Sequence, residues 1–125
     1  MDAELNNITE KIIGCAMEVL NTIGAGFTVK IYHNAMIVEL KHIGICFWTE
    51  KTYSVFYLSV KVGEYIPDLI VENKIIVELK AVESIHTDHL AQTLNYLKAT
   101  GLELGLILDF GKPKLQIKRV ISNQG

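Results

Sequence analysis

The chain of 125 residues has two cysteines, two prolines, one tryptophan and no long uninterrupted apolar run. Each scarcity excludes something. Cys15 and Cys46 cannot build the multiple-disulfide framework of small secreted domains, and no His/Cys grouping has the spacing of a zinc site. Cys15 falls in an apolar helical run and is expected in the core. No stretch approaches the ~20 apolar residues that span a bilayer, and the opening Met-Asp-Ala-Glu-Leu-Asn-Asn is acidic and polar where a secretory leader is basic and then apolar. A cytoplasmic protein without a membrane partner is expected. Positive charge is scarce as well. With a formal net charge of -2, nothing in the composition draws phosphate from a distance, so nucleic-acid binding would need a local basic patch or a bound cation.

What is present is globular. Half of the residues are hydrophobic and 21% charged, too apolar for a disordered chain. The length fits a single domain over residues 1–125 that buries roughly two thirds of its unfolded surface. Neither repeats nor linkers divide it.

Leu5, Ile8, Ile12, Ala16 and Val19 recur at helical spacing, widened by Ile13, Met17 and Leu20, and predict a helix over about residues 4–22 that ends at Gly24-Ala-Gly26. A second helix is expected from about Thr28 to His42, with Ile31, Ala35, Val38 and Leu40 inward and Gly44 as its stop. On it, Tyr32 reads as a half-buried packing residue with its hydroxyl at the rim. Glu39 is either a carboxylate of a site or one partner of a surface pair with Lys41 or Lys30. Cys46 to Val62 has strand composition, closed by Gly63. Its aromatics Trp48, Tyr53, Phe56 and Tyr57 fit a core or an oligomer contact better than a base-stacking platform, because basic residues are not interleaved with them.

A third helix is expected from roughly Thr87 to Ala99, with His89, Gln92 and Tyr96 on one face, Leu90, Leu94 and Leu97 on another, and Gly101 as its terminator. The apolar run Leu104 to Phe110 has the pattern of a strand buried on both faces, and Leu115 to Ile121 alternates as a final strand. Lys112, Lys114, Lys118 and Arg119 form the one basic cluster, either resting on phosphate or charging an edge strand against aggregation. Two helices, three strands, a helix and two strands make an α/β or α+β fold with a mixed sheet flanked by helices.

The stretch Glu64 to Lys80 concentrates the chemistry. Leu69–Val71 and Ile75–Val77 flank the polar triplet Glu72-Asn73-Lys74, which reads as a β-hairpin. With Asn73 at the centre of the turn, Asp68 and Glu78 fall opposite each other with Cβ atoms about 5 Å apart, and the period of two puts Lys80 on the face of Glu78. Adjacent carboxylates repel unless a cation sits between them. Hard oxygens with room for water are the ligands of Mg²⁺ or Mn²⁺. A lysine beside such an ion can orient water and stabilise charge developing on a phosphate oxygen. The competing reading is a cross-strand ion pair on a solvated face. Geometry alone leaves both open.

Pro67-Asp68, followed after an interval by Glu78-Leu79-Lys80, resembles the PD-(D/E)XK signature of the restriction-endonuclease-like nucleases, and Gln92-Thr-Leu-Asn-Tyr96 resembles the QxxxY element of their RecB-like branch. Nearly the whole chain is similar to the small GxxExxY proteins. The similarity runs from Ile12, Ile13, Gly14 and Glu18, through Gly24-Ala-Gly26, Tyr32, Ala35 and Glu39-Leu40, to Gly63-Glu-Tyr65, His89, Asn95 to Gly101 and Phe110-Gly111. The name motif itself is broken, since Val29 stands where that family has its glutamate.

The resemblance implies an αβββαβ core and a nuclease that hydrolyses phosphodiester bonds of nucleic acid, with DNA the expected substrate. Asp68 and Glu78 would hold Mg²⁺ or Mn²⁺ with the backbone carbonyl of Leu79. Lys80 would position water, Gln92 would bond near the metal or a substrate phosphate, and Tyr96 would hold Gln92. Val29 implies the alternative, a catalytically impaired relative that acts as a nucleic-acid- or protein-binding module. A homodimer through the aromatic strand is compatible with either.

Overall fold

The computed structural model describes residues 3–122. Helix α1 (Ala3–Ile23) and helix α2 (Val29–Ile43) are followed by β1 (Phe47–Trp48), β2 (Tyr53–Tyr57), β3 (Val60–Tyr65), β4 (Leu69–Val71) and β5 (Ile75–Lys80). Then come α3 (Thr87–Thr100), β6 (Leu104–Asp109) and β7 (Gln116–Ile121). Five strands form one mixed sheet in the order β1-β4-β5-β6-β7, parallel between β5 and β6 and antiparallel elsewhere, and β2 pairs with β3 in a separate ribbon. With helices on both faces of the mixed sheet, this is the restriction-endonuclease-like α/β architecture.

The period of two divides the central strands between two cores. Ile75, Val77 and Leu79 join Leu104, Leu106, Leu108 and Phe110 against the apolar faces of α1 and α2. Ile76 and Ile107 turn the other way, to Tyr65, Val120 and Leu97 of α3. This double burial is why β6 reads as an unbroken apolar run. The hairpin turn is tight: Glu72 and Asn73 both take left-handed conformations, with φ of 54° and 55°, and the Lys74 N–H donates to the Val71 carbonyl at 3.0 Å.

Several expectations need correction. Helix α2 turns Tyr32, Met36 and Leu40 inward, leaving Ile31 and Val38 exposed. The inward stripe is the one containing Tyr32, which can be wholly buried because its hydroxyl donates to the Gly24 carbonyl (2.6 Å) and accepts from the Phe27 N–H (3.2 Å). Its ring stacks on Phe110 with centroids 4.7 Å apart. Met17 likewise lies outside the α1 stripe, 46% exposed.

The stretch of strand composition from Cys46 to Val62 is divided among β1, β2 and the start of β3. Leu58 and Ser59, with φ of 48° and 66°, make the reversal without a glycine, while Gly63 sits inside β3 opposite Val55, beside a register shift. The aromatics therefore part company. Tyr53 packs towards the second core, whereas Phe56 and Tyr57 project at 63% and 67% exposure and build no core. A cation is interleaved after all: the Lys51 ammonium lies 5.2 Å from the Trp48 ring centre and 5.7 Å from that of Tyr53.

Candidate metal site

Asp68 immediately precedes β4. The register Leu69↔Val77, Ile70↔Ile76, extended by one step, sets Asp68 opposite Glu78. Pro67 lies just outside the strand, where a residue without an N–H interrupts no ladder. In place of a main-chain bond, Asp68 uses its side chain: Oδ2 accepts the Leu79 N–H at 2.8 Å, which anchors this carboxylate against β5. The N–H and C=O of one strand residue point the same way, so the Leu79 carbonyl also opens on the side of Asp68.

Glu78 is buried, and its Oε1 accepts a hydrogen bond from the Tyr65 hydroxyl. Burial, and secondly the negative charge of Asp68, push its carboxyl up to about 8; the Tyr65 hydrogen bond and the Lys80 charge act in the opposite direction. Such a group is poorly satisfied as an anion until a cation arrives. Lys80, at the end of β5, is half-buried on the Glu78 face.

Two further elements converge here. From α2, His33 Nε2 lies 2.9 Å from the Asp68 carbonyl oxygen, to which it donates. His33 and Val29, one helical turn apart, line with Lys30, Asn34, Asp68 and Leu79 a cleft of about 470 Å³. Position 29 therefore shares a cleft with Asp68, and Val29 gives that cleft a methyl surface. From α3, Tyr96 stacks on Tyr65 with centroids 3.6 Å apart and planes at 12°. It thus meets the ring whose hydroxyl partners Glu78, and Gln92 is exposed one turn earlier on the same helix.

Other candidates lie elsewhere. His86 and His89 belong to the start of α3, where the His86 N–H donates to His89 Nδ1 at 3.1 Å. Glu39 lies beside Cys15, whose thiol is pushed up to about 11 by burial and then by the Glu39 charge. Glu39 is therefore on the α1 side of α2, away from Asp68. In the basic cluster, Lys112 pairs with Glu83 at 3.4 Å, and Lys118 and Arg119 are exposed on the edge strand β7.

Three residues of the site's surroundings have no site role in the sequence reading, although Tyr65 is among those that carry the family resemblance. Tyr65 gave no pairwise signal, because β3 shares no ladder with β5. His33 could have been found as the residue one turn after position 29. Asp109 is an acid ending an otherwise apolar strand, a signal that was there to read. Its Oδ1 accepts the N–H groups of Val82 (2.9 Å) and Gly111 (3.0 Å), and so fixes the chain where it leaves Lys80.

Among the described residues no third His, Cys, Asp or Glu completes a metal-ligating group. The donor set on offer would be two hard carboxylates and the backbone carbonyl of Leu79. That chemistry suits Mg²⁺ or Mn²⁺ and is poor for zinc.

Among the described residues no helix is long and apolar enough to cross a membrane. No curated protein and no solved structure matches the chain. A sequence model of the PD-(D/E)XK nuclease superfamily, by contrast, matches residues 6–120. Almost the whole fold, including the hairpin with Asp68, Glu78 and Lys80, lies inside that match. The chain belongs to the PD-(D/E)XK nuclease superfamily, whose members generally use divalent metal ions and act on nucleic acid.

Proposed function

We propose that this protein is a metal-dependent nuclease of the GxxExxY kind that hydrolyses phosphodiester bonds of DNA in the cytoplasm. The observation that carries the reading is the burial of Glu78 against Asp68 with Lys80 on the same face. A carboxylate held in that setting has a use for a divalent cation. Asp68, Glu78 and the Leu79 carbonyl would hold Mg²⁺ or Mn²⁺, which supplies Lewis acidity towards the phosphate when bound.

The remaining steps belong to the chain. Lys80 orients the attacking water and offsets charge gathering on the phosphate oxygens. His33 and the Leu79 N–H fix the two ends of Asp68, so that its free oxygen keeps one direction. Gln92, exposed on α3, reaches the substrate backbone. Incubation of the purified protein with DNA and Mg²⁺ or Mn²⁺, beside Glu78→Ala, tests the assignment. Cleavage by the parent and none by the variant is expected; equal activity in both rejects it.

A specific observation favours a second reading, a catalytically impaired module that still binds. Val29 borders the cleft beside Asp68 and Leu79, where a glutamate would add the missing acidic ligand. Turnover that appears only in Val29→Glu identifies this reading. Either form can pair as a homodimer through the exposed Phe56 and Tyr57 of the β2–β3 ribbon, which light scattering reads as a doubled mass.

A further inference from the structure

The β2–β3 ribbon is a sheet of its own, yet it sends one side chain into the candidate metal site. Tyr65, the last residue of β3, is 9% exposed, donates its hydroxyl to Glu78 Oε1 and lies flat against Tyr96 of α3. Three elements that share no ladder thus meet at one carboxylate.

A buried glutamate has several rotamers open to it, and burial alone does not select the one that presents an oxygen to an ion. A donor fixed on one carboxylate oxygen does select it. The other oxygen is left for the metal. The donor needs its own support, because a tyrosine ring swings about two torsions unless its faces are held. Here one face is held by the Tyr96 ring, at a separation that admits no water between them.

We propose that Tyr65 is a positioning residue that presets the Glu78 carboxylate for a divalent cation, and that Tyr96 acts on the site through the Tyr65 ring rather than through contact with substrate. The inference rests on the metal-site reading above. It separates the two parts of Tyr96: the ring matters and the hydroxyl does not.

The test is calorimetric titration with Mn²⁺ alone into the parent protein and a set of variants whose circular dichroism is unchanged. Tyr65→Phe keeps the stacked ring and deletes the donor, and should weaken Mn²⁺ binding roughly ten-fold or more, the usual cost of losing a hydrogen bond to a metal-ligating group. Tyr96→Phe should bind as the parent does. Tyr96→Leu removes the stacking face and should weaken binding. In the double variant Tyr65→Phe/Tyr96→Leu, binding should be no weaker than in Tyr65→Phe alone, because the ring has nothing left to position. A purely structural role would make the two losses add.

Parent-like Mn²⁺ affinity in Tyr65→Phe, with binding abolished in Glu78→Ala, overturns the positioning role and leaves the metal site standing. Weakening by Tyr96→Phe equal to that by Tyr96→Leu overturns the indirect role of Tyr96. A parent protein that binds no Mn²⁺ removes both this proposal and the reading beneath it.

Discussion

Asp68 Oδ2 accepts the backbone N–H of Leu79 at 2.8 Å, so the first carboxylate of the pair is fastened to the strand that carries the second. The bond spans the end of the hairpin just where the ladder of β4 has run out, and it substitutes a side-chain acceptor for a main-chain one. Asp68→Ala should therefore lose more than a metal ligand. It strands the Leu79 N–H at the edge of the core, at a cost of about 1–3 kcal/mol in urea-induced unfolding, whereas Asp68→Asn keeps an acceptor and should lose the metal at a smaller cost in stability.

Glu78 makes a pH prediction of definite sign. Its carboxyl is pushed up from 4.5 to about 8, so the folded state holds this proton more tightly than the unfolded chain does. The contribution is fully present below about pH 4.5 and is lost as pH rises through about 8. Across that window it falls steadily as the pH rises. Without metal, the unfolding midpoint should decline from pH 5 to pH 8, and Glu78→Gln should flatten the decline. Added Mg²⁺ should restore stability most at the alkaline end, because the ion binds the deprotonated form.

Gly111 has no room for a side chain. A Cβ there would lie 2.0 Å from the Val82 carbonyl oxygen, and Val82 is itself tied to Asp109. In Gly111→Ala the chain after Lys80 must move, at a cost of about 1–3 kcal/mol. Since Lys80 is not a metal ligand, cleavage should fall further than Mn²⁺ affinity does; equal losses would show that the disturbance reaches the carboxylates.

Tyr32→Phe serves as a control of the fold. The variant keeps the stack on Phe110 but leaves the Gly24 carbonyl and the Phe27 N–H without the hydroxyl. About 1–2 kcal/mol of stability should go, with Mn²⁺ affinity unchanged in the folded protein. A loss of affinity would mean that the entry to α2 is coupled to the site through His33.

Much of the candidate site's geometry was legible because it is local. The hairpin places Asp68 and Glu78 opposite each other by its own register, and the alternation of a strand carries Lys80 to the same face. The sheet centre was legible too, since β6 can be apolar throughout only between two covered faces. What escaped depends on packing between distant segments. Tyr65 reaches Glu78 from a separate ribbon, and the reversal at Leu58-Ser59 carries none of the glycine or asparagine that marks such turns. The inward face of α2 was misread because an apolar count favours Ile31 and Val38, while the hydroxyl of Tyr32 finds its partners only once the Gly24 loop has folded back.

The central claim is that Asp68 and Glu78 clasp a divalent ion with Lys80 at hand. Anomalous density from crystals soaked in Mn²⁺ tests it most directly. A peak between the two carboxylates, lost in Glu78→Ala, is the predicted result. The Lys80 ammonium seated in that gap, with no peak beside it, would contradict the claim and leave a structural ion pair in its place.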